Sequence, residues 1–167
     1  MRKGLKSAGK ADSAAAASRA WAVLLSAREH VMNRAELALA HAGLPPLAWY
    51  DVLWALEQAP GCRLRMFELA EKLVVARYNL TRIADRLVRA GLIERDSCAS
   101  DGRGAFCVLT ASGRRMRARM WPTYRSVIED LVATHIAPSE LAVIDESLSR
   151  VARAASAQDG ARASESS

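Results

Sequence analysis

Apolar residues fall into helical stripes along most of this chain and give way to strand-like runs in one short region. From about Ser18 to His41, Trp21, Leu24, Leu25, Val31, Leu37 and Leu39 recur at helical spacing. Gly43 and the Pro45-Pro46 pair end that run. Residues 47–58 (LAWYDVLWALEQ) are apolar on most faces, which predicts a centrally buried helix stopped by Pro60-Gly61. Met66 to Leu73 is a short helix with Phe67, Leu69, Ala70 and Leu73 on one side. After a tight connection, Arg77 to Ala90 carries a single stripe of Leu80, Ile83, Ala84, Leu87 and Val88. Arg77, Tyr78, Asn79, Thr81, Arg82, Asp85, Arg86 and Arg89 occupy the rest of that helix, and Gly91 reads as its left-handed stop.

Leu92–Arg95 and Ala105–Leu109 read as strands around the polar tip CASDGRG. Thr110-Ala111-Ser112-Gly113 offers caps for a helix over about 113–134, in which Pro122 predicts a kink or local break. Pro138 and Ser139 open a last helix, with Leu141, Ile144, Leu148 and Val151 at steps of three and four. Ser139 fits a cap or the first turn, and Glu140 suits the positive helix end. Two adjoining short helices, a Gly-terminated turn and a hairpin, in that order, are what a winged helix-turn-helix requires. The expected fold class is therefore mainly α with a small β-hairpin wing.

That core needs only residues of about 47–110. The apolar stripes of the flanking helices, about 18–41 and 113–155, need a partner. A homodimer that packs them together supplies one, and its symmetry suits two-fold symmetric DNA. The Lys/Ser/Ala/Gly-rich stretch 1–17 and residues 156–167 read as flexible tails around a single domain over 18–155.

Composition adds limits. At 167 residues, 51% of them hydrophobic and 25% charged, the chain has the profile of one soluble globular domain. It has no apolar run long enough to span a membrane. Its basic start (Arg2, Lys3, Lys6, Lys10) leads into an Ala/Ser stretch without the Leu-rich core of an export signal, so a cytoplasmic location is expected. Cys62, Cys98 and Cys107 form no CxxC, and His30, His41 and His135 lack ligand spacing, so no metal or cofactor is expected. No nucleophile–base pair or Gly-rich phosphate loop supports an enzyme. The net charge of +6 is unevenly placed. Residues 61–120 hold 13 Lys/Arg against 6 Asp/Glu, whereas residues 121–167 hold 4 against 7. The positive excess sits on the helix pair and hairpin, where phosphate contacts would need it.

If the 77–90 helix enters a major groove, arginine suits guanine, asparagine suits adenine, and threonine or tyrosine can bind phosphate. The candidate reading residues are Arg77, Tyr78, Asn79, Thr81, Arg82 and Arg86. Asp85 lies between Arg82 and Arg86, so one of the two arginines could pair within the protein instead. Arg103 at the hairpin tip suits a narrow A/T-rich minor groove, and Arg95 and Arg89 are secondary phosphate candidates.

FELAEKLVVARYNLTRIADRLVRAGLIER, then DGR in the hairpin tip, then VLTASG, occur in an order and spacing that resemble the MarR family of bacterial transcription regulators. The resemblance spans roughly residues 20–153, and PSELAVIDESLSRV looks like the family's closing helix. It implies a DNA-binding homodimer on a pseudopalindromic operator, most often a repressor released by a small aromatic or phenolic ligand. It also implies that Asp101 orients Arg103 rather than touching DNA. The tip departs from the family's common Asp-Arg-Arg, reading Asp101-Gly102-Arg103, which removes one arginine from the wing.

Trp21, Trp49, Trp54 and Tyr50 either line the ligand cleft that the family implies or belong to the core, with core expected for at least half of them. Cys98 and Cys107 lie in or beside the wing, so a thiol-based redox-sensing regulator is an alternative. The family's peroxide sensors, however, carry their cysteine near the start of the second helix, where this chain reads GLPPLAWYDVLW. A winged-helix interaction module without specific DNA binding is a further alternative.

Overall fold

The second apolar segment becomes the hub of the fold because it has few polar faces to leave in water. In the computed structural model, which describes residues 3–73, 77–96 and 106–165, this segment is helix α2, Leu47–Glu57. Its Leu47, Val52, Leu53 and Leu56 are fully buried. Helix α1 (Lys3–His41) precedes it. A short strand β1 (Arg63–Arg65), helix α3 (Met66–Lys72) and helix α4 (Arg77–Arg89) follow. Strands β2 (Ile93–Asp96) and β3 (Phe106–Leu109) lead into helix α5 (Ala111–Ile128). A π-helical turn, Glu129–Ala133, and helix α6 (Pro138–Glu165) complete the described chain. The chain divides into two compact units, Met1–Val127 and Ile128–Ser167.

Within the first unit, the main core joins α2 to Leu69 of α3, to Leu80, Ala84 and Leu87 of α4, and to Leu64, Ile93, Cys107 and Leu109 of the sheet. The expected stripe of α4 thus faces inward, apart from Val88, which is exposed. A second cluster gathers Ala35 and Leu39 of α1, Leu47 and Tyr50 of α2, and Met120 of α5. The N-terminus of α2 has no side-chain cap of its own. Instead the Glu36 carboxylate, reaching across from α1, accepts the Leu47 N–H at 3.1 Å.

The sheet is antiparallel in the order β1-β3-β2. Strand β1 went unforeseen, because three residues with one apolar position give no periodicity to read. It completes the ladder of β3, placing Leu64 opposite the buried Cys107. Gly91 has φ +67° as expected, and its turn closes with Leu92 N–H donating to the Leu87 carbonyl at 2.9 Å.

Two boundaries differ from expectation. α1 begins at Lys3 rather than near Ser18, and α6 runs to Glu165 rather than 155. Both added segments are rich in alanine, and residues 12–20 and 156–158 are exposed, so intrinsic helix preference rather than burial accounts for those stretches. Pro122 does not break α5. It removes only the bond to the Ala118 carbonyl, and both residues lie on the exposed side where water can replace it.

In the second unit, Glu140 accepts the Ala137 N–H at 2.8 Å, so the carboxylate caps the start of α6 and Ser139 lies in its first turn. Val143, Ile144, Leu148 and Val151 of α6 are exposed within the chain. No helix among the described residues is long and apolar enough to cross a membrane.

Candidate nucleic-acid interface

Burial of Leu80, Ala84 and Leu87 fixes the rotation of α4, and the opposite face follows from helical geometry. Asn79, Arg82, Arg86 and Arg89, at steps of three, four and three, are all exposed, as is Thr81. Arg77 and Tyr78 belong to the first turn of α4, but their side chains lie outside the described residues. So do Cys98, Asp101, Gly102 and Arg103 of the hairpin tip. Among the described residues, Arg82 and Arg86 have no acidic partner. An exposed, uncommitted guanidinium stripe can reach phosphates or base edges.

Asp85, between these arginines, is committed elsewhere. Its carboxylate accepts a bond from the Arg95 guanidinium of β2 at 2.7 Å, and its carbonyl accepts from Arg89 Nε at 3.3 Å. The internal pairing that the sequence suggested for Arg82 or Arg86 therefore falls to Arg95. Both partners are nearly half exposed, so the pair ties wing strand to helix without a large gain in stability. Arg95 acts first as a positioning residue for the wing.

The LTxxG stretch has a mechanical reason. The Thr110 hydroxyl donates to the Gly91 carbonyl at 2.8 Å, with the Leu92 carbonyl at 3.0 Å, and accepts the Gly113 N–H at 3.0 Å. One side chain thus caps α5 and fastens it to the turn after α4. Gly113 is buried against that turn, where a Cβ would collide with the Leu92 carbonyl oxygen and lie 2.8 Å from Leu109 Cδ1. At the other end of the sheet, the Arg63 and Arg65 guanidiniums stack over the Phe106 ring at 4.6 and 4.8 Å. Neither arginine stands out in the sequence, because the three-residue strand that carries them has no periodicity to read.

Of the four aromatic residues weighed between cleft and core, Tyr50 is buried and Trp49 packs on the main core, while Trp21 and Trp54 are exposed. The Cys107 thiol is fully buried, and burial raises its pKa, so it is a packed thiol rather than a reactive thiolate. Cys62 lies 3.3 Å from an Arg114 nitrogen, outside the wing.

Two short helices, a three-stranded sheet with a hairpin and an outward basic stripe define the class as winged helix-turn-helix. The MarR family model matches residues 42–104. AbsC, a MarR family transcriptional regulator from Streptomyces coelicolor, is 27% identical with a TM-score of 0.72 and covers 84% of this chain and 94% of its own. Sco3205, a MarR family regulator from the same organism solved in complex with DNA, is 27% identical with a TM-score of 0.72, covering 82% and 89%. MarR from E. coli, in its apo form, is 23% identical with a TM-score of 0.62 over 77% and 93%, a likeness of fold alone. No curated protein matches by sequence. Residues 42–104 thus match the MarR family model, and the fold around them is the one shared by these MarR family regulators.

Proposed function

We propose that this protein is a sequence-specific DNA-binding transcriptional regulator, acting in the cytoplasm as a homodimer on a pseudopalindromic operator. The observation that carries the reading is the exposed stripe of Arg82 and Arg86, with no acidic partner among the described residues, on a helix whose other face is locked into the core. The DNA complex of the similar Sco3205 supports the same mode of binding here. In this reading Arg77, Tyr78, Asn79, Thr81, Arg82 and Arg86 meet the major groove. Arg103 enters the adjacent minor groove with Asp101 orienting it, and Arg95 holds the wing in place.

Residues of about 47–110 form the DNA-binding core of one domain over 18–155, and the helices at about 18–41 and 113–155 dimerise. Exposed Trp21, Leu25 and Leu37 on α1, and Val143, Leu148 and Val151 on α6, support a second copy as their cover. The regulator represses until a small ligand favours a spacing of the two reading heads that does not fit the operator. Footprinting on the DNA beside its own gene tests the reading. The expected result is a protected window with two half-sites about one helical turn apart. Uniform protection, or none, on that DNA would refute specific regulation.

A further inference from the structure

We propose that the cavity walled by Tyr50 and Trp54 of α2 and by Trp121 and Tyr124 of α5, with Asp51 as its charged residue, binds a small organic cation of the alkylated ammonium class. The cavity measures about 240 Å³. Three of its rings form one cluster: Tyr50 stacks near-parallel to Trp121 with centroids 6.0 Å apart, and Tyr124 meets the two edge-on at 5.2 and 6.1 Å. Trp54 and Trp121 remain 49% and 37% exposed, so part of each indole is accessible from solvent. Ring faces carry negative quadrupole potential, and several rings around one carboxylate are the chemistry that recognises quaternary and alkylated ammonium groups.

Asp51 supplies the second half of the argument. It is half-buried and has no hydrogen-bond or ion-pair partner among the described residues. Burial first, and the nearby Glu36 carboxylate second, push its pKa up to about 6, while Arg28 opposes them. It is therefore mostly ionised at neutral pH, at a cost that a bound cation would offset. Glu36 and Arg28, of opposite charge, line an adjoining cavity that shares Asp51 and Trp54. Tyr50 and Tyr124 have raised pKa values, chiefly from burial, and stay neutral. A phenolate or carboxylate entering here would meet Asp51 unfavourably. The inference deepens the ligand-responsive reading above by naming the ligand's charge, and relies on that reading only for its consequence on DNA.

Calorimetry on the full chain at neutral pH tests it with three probes: choline, its uncharged isostere 3,3-dimethylbutan-1-ol, and benzoate. Choline is expected to bind saturably, with the other two at least about tenfold weaker. Asp51→Asn should weaken choline about tenfold, and Trp54→Leu, at a half-exposed position, several-fold. Circular dichroism on both variants separates lost binding from lost folding. The proposal is overturned if the alcohol or benzoate binds as tightly as choline, or if both folded variants keep wild-type affinity. It is equally overturned if choline gives no saturable heat up to roughly 10 mM. Choline binding without a footprint would refute the DNA reading alone, and a footprint without choline binding would refute this proposal alone.

Discussion

Replacing Gly113 with alanine tests how the reading head is held together. The added Cβ would collide with the Leu92 carbonyl oxygen and come within 2.8 Å of Leu109 Cδ1 and 3.0 Å of the Leu92 carbonyl carbon. Two of the three obstacles are backbone atoms, which cannot rotate away as a side-chain tip does. The turn after α4 and the start of α5 must therefore separate, straining the Thr110 bonds that join them. Overpacking of this kind costs about 3 kcal/mol. The helix preference of alanine over glycine returns at most about 1 kcal/mol. The net loss is about 2 kcal/mol, or a fall of roughly 4–8 °C in Tm for a chain of this size. Gly91→Ala is the control: its added Cβ has nothing within 4 Å, so only its left-handed φ of +67° is penalised, at about 1 kcal/mol. Thermal and urea unfolding of both variants decides the matter. A Gly113→Ala protein as stable as wild type, or more stable than Gly91→Ala, would refute the close-approach argument.

Asp51 gives a pH-dependent prediction. Its folded pKa of about 6 lies above the ordinary 3.8, so its ionisation opposes folding above that range and is silent below about pH 4. The shift corresponds to about 3 kcal/mol, and partial solvent exposure reduces the expected effect to about 1–2 kcal/mol. Asp51→Asn should therefore stabilise the protein by that amount near pH 7.5 and not at pH 4; equal effects at both would contradict the assignment. Cys107, buried with a raised pKa, should resist brief iodoacetamide treatment of the native protein, read by peptide mass spectrometry. Alkylation at the rate of a free thiol would show that it is accessible. Leu148→Glu, on the exposed face of α6, should leave the fold intact but shift a dimer toward monomer in sedimentation. A variant that sediments as wild type would remove this face from the dimer interface.

Much of this architecture is legible from spacing alone. The α4 stripe, the Gly91 stop and the α2 hub each depend on local periodicity or local backbone chemistry, which a sequence displays directly. β1 was not legible, since its three residues become a strand only when β3 arrives from more than forty positions away. Arg95 shows the same limit for the site. Its charge is visible in the sequence, but its pairing with Asp85 depends on the hairpin folding back along α4. Pro122 does not break α5, because the Ala118 carbonyl it orphans is on the exposed side where water can bond it, and that exposure is a tertiary property. The cavity around Asp51 joins α2 to α5 across some seventy residues, so no local motif announces it.

The central claim is that α4 and the wing grip DNA through arginines, and a salt titration measures this most directly. Fluorescence anisotropy with a duplex from the DNA beside its own gene, and with a scrambled duplex, would be followed as salt is raised. The account predicts a tighter complex with the native duplex and a steep linear fall of log affinity with log salt, about one unit of slope per phosphate contact. Arg82→Ala should narrow the gap between the two duplexes, by about 1–3 kcal/mol if that arginine reads a guanine. Arg103→Ala should weaken binding broadly or at A/T-rich flanks. Equal, weak binding to both duplexes, unchanged by either substitution, would contradict the account.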